Sequence, residues 1–150
     1  MGDVTKGVQA GFIATVVISI IMVVQHALGF LPQVNIIAMW MSAAGMPNSP
    51  GIAWILHFAM GVGLWGTIFS VVSPHLPGPH WFRGAVFSVF TWLAMMTLFL
   101  TAAGLPVFAV GLGPTIPVAT LVLHLIFGLV LGETYHLLLH YTSSEVDENA

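Results

Sequence analysis

Cysteine is absent from the 150 residues, which excludes disulfides, thiolate metal sites and a cysteine nucleophile, and leaves the redox compartment unreadable. Charge is nearly absent as well. Two basic and five acidic side chains make up 5% of the chain, against about a quarter in soluble domains. A folded surface in water cannot be hydrated so sparsely, so soluble enzymes, DNA-binding modules and disordered segments are excluded. No basic excess is available for nucleic acid. The net charge of −3 comes mostly from Glu145, Asp147 and Glu148 near the end and carries no message about a substrate. A phosphate loop, a Ser-His-Asp set and paired carboxylates are also missing. What is present is hydrophobic: 58% of the residues, with a mean hydropathy of +1.02.

A helix needs roughly 20 apolar residues to cross a bilayer's hydrocarbon core. Four stretches reach that length, at residues 7–28, 51–72, 82–102 and 117–139. The first follows the acidic Asp3 and is too long for a cleavable signal. Uninterrupted apolar runs are not the alternating strands of a barrel, so all four are read as helices. The expected fold class is all-α integral membrane: one four-helix transmembrane domain over residues 1–142, then an acidic C-terminal tail, 143–150. Four crossings bring both termini and the 73–81 loop to one side. Asp3, Lys6, Arg83, Glu133 and the acidic tail all fall there, while loops 29–50 and 103–116 carry no charge. Lys6 and Arg83 mark the charged side as cytoplasmic. Within residues 33–44, Val34, Ile37, Met41 and Ala44 form an apolar set beside Trp40. They read either as an outer interfacial helix with Trp40 at headgroup depth or as a loop folded over the bundle.

The halves of the chain, residues 6–72 and 83–141, resemble each other. Lys6-Gly7 and Arg83-Gly84 open the first helix of each, and small residues follow four apart: Gly7, Gly11, Thr15 and Ser19, then Gly84 and Ser88. Gly29-Phe30-Leu31-Pro32 and Gly104-Leu105-Pro106 close those helices. In the second helices Pro50 precedes His57 by seven residues, and Pro117 precedes His124 by seven. Gly61 and Leu64 then match Gly128 and Leu131. Two crossings per unit imply parallel repeats about an axis along the membrane normal.

His57 and His124 are the sharpest chemical feature, because an ionisable ring deep in a span is costly and usually serves a function. If they meet across the pseudo-axis, with glycines one turn away, they suit axial ligation of a b-type haem. The plainer reading is that each ring hydrogen-bonds a neighbouring helix, with Thr15, Ser19, Ser88 and Thr91 as available partners. His75, His80, His136 and His140 fall on the charged side. His136 and His140, four apart, share a helix face and with Glu133 make a zinc or copper site conceivable, although simple interfacial histidines need no metal. His26 reads as interfacial. Glu133 lies nine positions after His124, about half a turn round the helix, so the two cannot share a site. It reads as an ion pair with Arg83, or as a proton-relay carboxylate. The methionines are scattered and suit apolar packing better than copper handling.

The stretch Gly7-x-x-x-Gly11-x-x-Ala14-Thr15, the run Trp54-Ile55-Leu56-His57-Phe58, and Ala119-Thr120-Leu121-Val122-Leu123-His124 resemble a family of small bacterial inner-membrane proteins. The resemblance implies four helices over nearly the whole chain, residence in the bacterial inner membrane and no known biochemical role; the acidic tail has no place in its pattern. Three functions remain open. The first is an accessory subunit of a respiratory or other energy-transducing complex, with the lipid bilayer and other membrane subunits as partners. It rests on small size, uncharged outer loops, and small-residue stripes, some of which are expected to stay free for a partner. The second is a haem b or quinone-site subunit using His57 and His124. The third is a small transporter or channel, for which few polar residues are available.

Overall fold

The computed structural model describes residues 2–30, 35–111 and 113–148, with side chains as far as Tyr141. Five helices follow one another: α1 (Val4–Ala27), α2 (Ile36–Ala43), α3 (Pro50–His75), α4 (His80–Ala102) and α5 (Thr115–Glu148). Among them α1, α3, α4 and the Thr115–Tyr141 part of α5 are long and apolar enough to cross a membrane. Each expected span is therefore a helix, and each begins before its apolar run. Capping explains two of these early starts. The Asp3 carboxylate accepts the Lys6 backbone N–H at 3.1 Å, and its Oδ2 lies 3.5 Å from the Lys6 ammonium. Pro50 opens α3, where its missing N–H leaves no bond unmade. Of the expected loop features, Leu31, Pro32, Gln33 and Val34 lie outside the described residues.

Small residues decide where the helices touch. Near the end that carries Asp3, Lys6, Arg83 and Glu133, α1 crosses α3 glycine to glycine: a Cβ on Gly11 would stand 2.9 Å from the Gly61 carbonyl oxygen and 3.1 Å from the Gly66 Cα. In the other pair, a Cβ on Gly128 would meet the Ser88 Cβ at 2.5 Å, and one on Gly84 the Gly132 nitrogen at 2.9 Å. Gly7, Gly11, Thr15, Ser19, Gly61, Gly84, Ser88, Gly128 and Gly132 are all buried. This corrects the expectation that some stripes stay free. Residues four apart share a helix face, and the stripes of paired helices close on each other and are used up inside the bundle. Helix α5 also packs along α1, where the Asp3 N–H donates to the Tyr135 hydroxyl at 2.9 Å. Phe69, Phe87 and Tyr135 fill the charged end between α3, α4 and α5, with ring centroids 5.3 and 5.6 Å apart.

Toward the uncharged end α3 leaves α1: the close contact lies over Ala59–Val72, and Pro50–Phe58 packs against α2 instead. Two π-helical stretches, Ala59–Trp65 in α3 and Met95–Phe99 in α4, border the space that opens. Helix α2 covers it. Met39 is buried with Met96, Leu100 and Ala103, Trp40 packs tilted against Phe99 with ring centroids 4.2 Å apart, and the Ser42 hydroxyl donates to the Ala103 carbonyl at 3.0 Å. The segment is thus a helix folded over the bundle, and its inward face is Ile36, Met39, Trp40 and Ala43, not the set built on Ile37 and Met41. Beyond α4, Phe108 and Ala109 are held at φ 54° and 52°, a left-handed conformation costing about 1–2 kcal/mol per residue. Burial of Ala109 and the contact of Phe108 with Trp92, at 5.7 Å, offset that cost.

Candidate functional site

The space enclosed by α1, α2, α3, α4 and α5 is a cavity of about 480 Å³. His57 and His124 both line it, so the structure brings together the two histidines that the proline spacing singles out. Its walls are otherwise mainly aliphatic, with Trp40, Trp65, Phe99 and Phe127 as aromatic members and Thr15, Thr91 and Thr120 as polar ones. Leu64 on α3 and Leu98 on α4 line it while 42% and 73% exposed. The chamber therefore opens sideways between α3 and α4. A π turn widens the helix backbone and recurs at functional sites. Here both π stretches contribute wall residues: Met60, Gly61, Leu64 and Trp65 from one, Met95, Leu98 and Phe99 from the other.

The two imidazoles are held differently. The Nε2 of His57 lies 3.1 Å from the Ser19 hydroxyl of α1, bridging the helices where they diverge. This is the interhelical bond expected of a packing histidine, made to one of the four expected partners. His124 makes no such bridge among its described bonds: its Nδ1 donates to the Thr120 carbonyl one turn back, at 2.8 Å. The other hydroxyls expected as partners bond carbonyls of their own helices, Thr15 to Gly11 at 2.7 Å, Ser88 to Ala85 at 2.8 Å and Thr91 to Ser88 at 2.9 Å. Thr120 also accepts the Trp92 indole N–H at 3.2 Å. Thr120 and Trp40 line the cavity and Trp92 bonds Thr120 from outside its lining; sequence reasoning passes over all three as site residues. The available signal was the four-residue spacing of Thr120 and His124, which puts them on one face.

At the charged end His80, His136 and His140 form a column of rings, with centroids 4.8 and 4.1 Å apart. His75 does not join them; it is exposed, and its Nδ1 bonds the Val71 carbonyl at 3.2 Å. Among the described residues no group of three or more His, Asp or Glu side chains is disposed to hold a metal ion. Arg83 does not pair with Glu133. Its Nε donates to the Gly78 carbonyl at 2.7 Å, because the turn that precedes α4 folds that carbonyl back within reach. His26 is exposed near the end of α1.

Fold and cavity together define a small all-helical protein whose four membrane-length helices surround a histidine-lined chamber. Residues 1–146 match a family of unknown function, DUF6789, and the chain belongs to that family. The uncharacterised family to which the sequence motifs pointed is thereby shown. No curated protein and no solved structure matches the chain.

Proposed function

We propose that the chain is an integral membrane protein that binds a lipid-soluble molecule in this cavity, with His57 and His124 meeting its polar group. The observation that carries the reading is the convergence of the two rings on one apolar chamber that opens sideways. A polar ring in an apolar wall is costly unless it is used, and a lateral opening suits a molecule dissolved in the bilayer. At about 480 Å³ the cavity lies in the usual range for small-molecule sites. Solvent extraction and mass spectrometry of protein purified in mild detergent should find a bound lipophile, lost when Leu64→Trp and Leu98→Trp plug the opening. Wild-type protein without a bound lipophile, and unable to take one up, overturns the reading.

Haem b is the second candidate occupant. His124 supports it, since a metal-ligating histidine commonly donates its other ring proton to a carbonyl. His57 speaks against bis-histidine ligation, because its Nε2 is engaged by Ser19. A Soret band lost in both His57→Ala and His124→Ala would decide for haem.

The wider setting is also part of the proposal. The one-sided charges and the positive-inside rule support both termini in the cytoplasm, and the resemblance to small bacterial inner-membrane proteins supports that membrane as the site. Matching crossings, Gly11 on Gly61 with Ser88 on Gly128, and Gly7 on Gly66 with Gly84 on Gly132, support parallel repeats. The π stretches break that symmetry, lying in the second helix of one half and the first of the other. A chain of this size that holds a lipophile would serve as an accessory subunit of a larger energy-transducing complex.

A further inference from the structure

We propose that the molecule taken up by the cavity is a hydroquinone: a flat ring with hydroxyl groups and an apolar tail. This rests on the lipophile-binding reading and adds the chemistry of the head group. A neutral imidazole carries one N–H and one bare acceptor nitrogen. His124 gives its proton from Nδ1 to the Thr120 carbonyl, which leaves Nε2 as the acceptor. The Ser19 hydroxyl spends its one proton on the Thr15 carbonyl at 2.6 Å. The 3.1 Å contact with His57 Nε2 must then be made by the ring's own proton, and Nδ1 is the acceptor left over. The threonines of the wall add no free proton, since Thr15, Thr91 and Thr120 donate to the carbonyls of Gly11, Ser88 and Ile116.

Both histidines therefore offer acceptors. A ketone or an ether oxygen meets them lone pair to lone pair, whereas a phenolic hydroxyl donates to them. A buried acceptor that gains a partner contributes more than one left bare. Trp40, Trp65, Phe99 and Phe127 make walls for a flat ring rather than for a flexible aliphatic alcohol. The tail leaves between Leu64 and Leu98, toward the bilayer.

The test uses the full chain in lipid nanodiscs, under anaerobic conditions, and reads the amount of each probe retained above that in empty nanodiscs by mass spectrometry. The probes are a decyl hydroquinone, the corresponding quinone, its O,O-dimethyl ether and a long-chain aliphatic alcohol. The hydroquinone should bind about tenfold more tightly than the other three, from two hydrogen bonds to neutral acceptors. His124→Leu and His57→Leu should each shrink the hydroquinone's advantage over the dimethyl ether, and an undiminished advantage in both variants overturns the acceptor assignment. Equal binding of hydroquinone, quinone and ether overturns the hydroquinone assignment and leaves lipophile binding standing. Equal binding of the aliphatic alcohol overturns the flat-ring assignment. Failure of every probe to bind overturns both proposals.

Discussion

Replacing Gly128 with alanine tests the packing argument most directly, because the added methyl has nowhere to go. Its carbon would lie 2.5 Å from the Ser88 Cβ and 2.6 Å from the Ser88 Oγ, with the Gly84 carbonyl closer still. Apolar carbons rest at about 3.5–4.0 Å, so α4 and α5 would have to part by about 1 Å along their closest contact. Overpacking costs about 1–3 kcal/mol. Since backbone cannot swing aside as a long side chain can, about 2–3 kcal/mol is expected, or a fall in melting temperature of about 4–12 °C. Gly63 is the control. It is exposed, and a Cβ there meets nothing within 4 Å, so Gly63→Ala should gain up to about 1 kcal/mol of helix propensity and melt no lower than wild type. Thermal melting followed by circular dichroism in one detergent compares the two. The reasoning fails if Gly128→Ala melts with the wild type, or if Gly63→Ala falls as far.

Thr120→Val should cost about 1 kcal/mol by removing the acceptor of the Trp92 indole N–H. Thermal melting of the variant beside wild type checks this, and an unchanged melting temperature would contradict it. Tyr135→Phe strips the Asp3 N–H of its partner, and hydrogen exchange of the first turn of α1 should quicken with a stability loss of about 1 kcal/mol. For orientation, Asn48→Cys should label from outside intact cells and Ser144→Cys should not; the reverse would invert the membrane placement. On native gels after mild extraction the chain should migrate in a larger assembly, and a lone 16.0 kDa species would count against an accessory role.

The four long helices were legible because length and lack of charge suffice to define them. The short α2 was legible as a helix but not in its orientation: Ile36, Ile37, Met39, Trp40 and Met41 are apolar all round, so no pattern selects a buried face, and the gap between α3 and α4 makes the choice. His57 and His124 could be singled out by their distance from Pro50 and Pro117. Whether they share one space depends on where α3 departs from α1, which is a property of packing. The π stretches leave no mark in residue type, since Ala59–Trp65 reads as ordinary apolar helix. Ring contact between His80 and His136 joins residues far apart in the chain, and periodicity along one helix cannot report it.

The glycine crossing of α1 and α3 makes a fulcrum of one end of the bundle. Nine residues separate Gly66 from His57, an arm of about 14 Å, and over its outer part α3 is tied to α1 by the His57–Ser19 bond and the Phe12–Phe58 contact. A tilt of about 5° at the crossing would carry the imidazole about 1 Å while hardly moving the glycines. The separation of His57 from His124 across the cavity is thus geared to an angle set at the glycine crossing, nine residues away on the same helix. A methyl group added at Gly66 would be felt at His57.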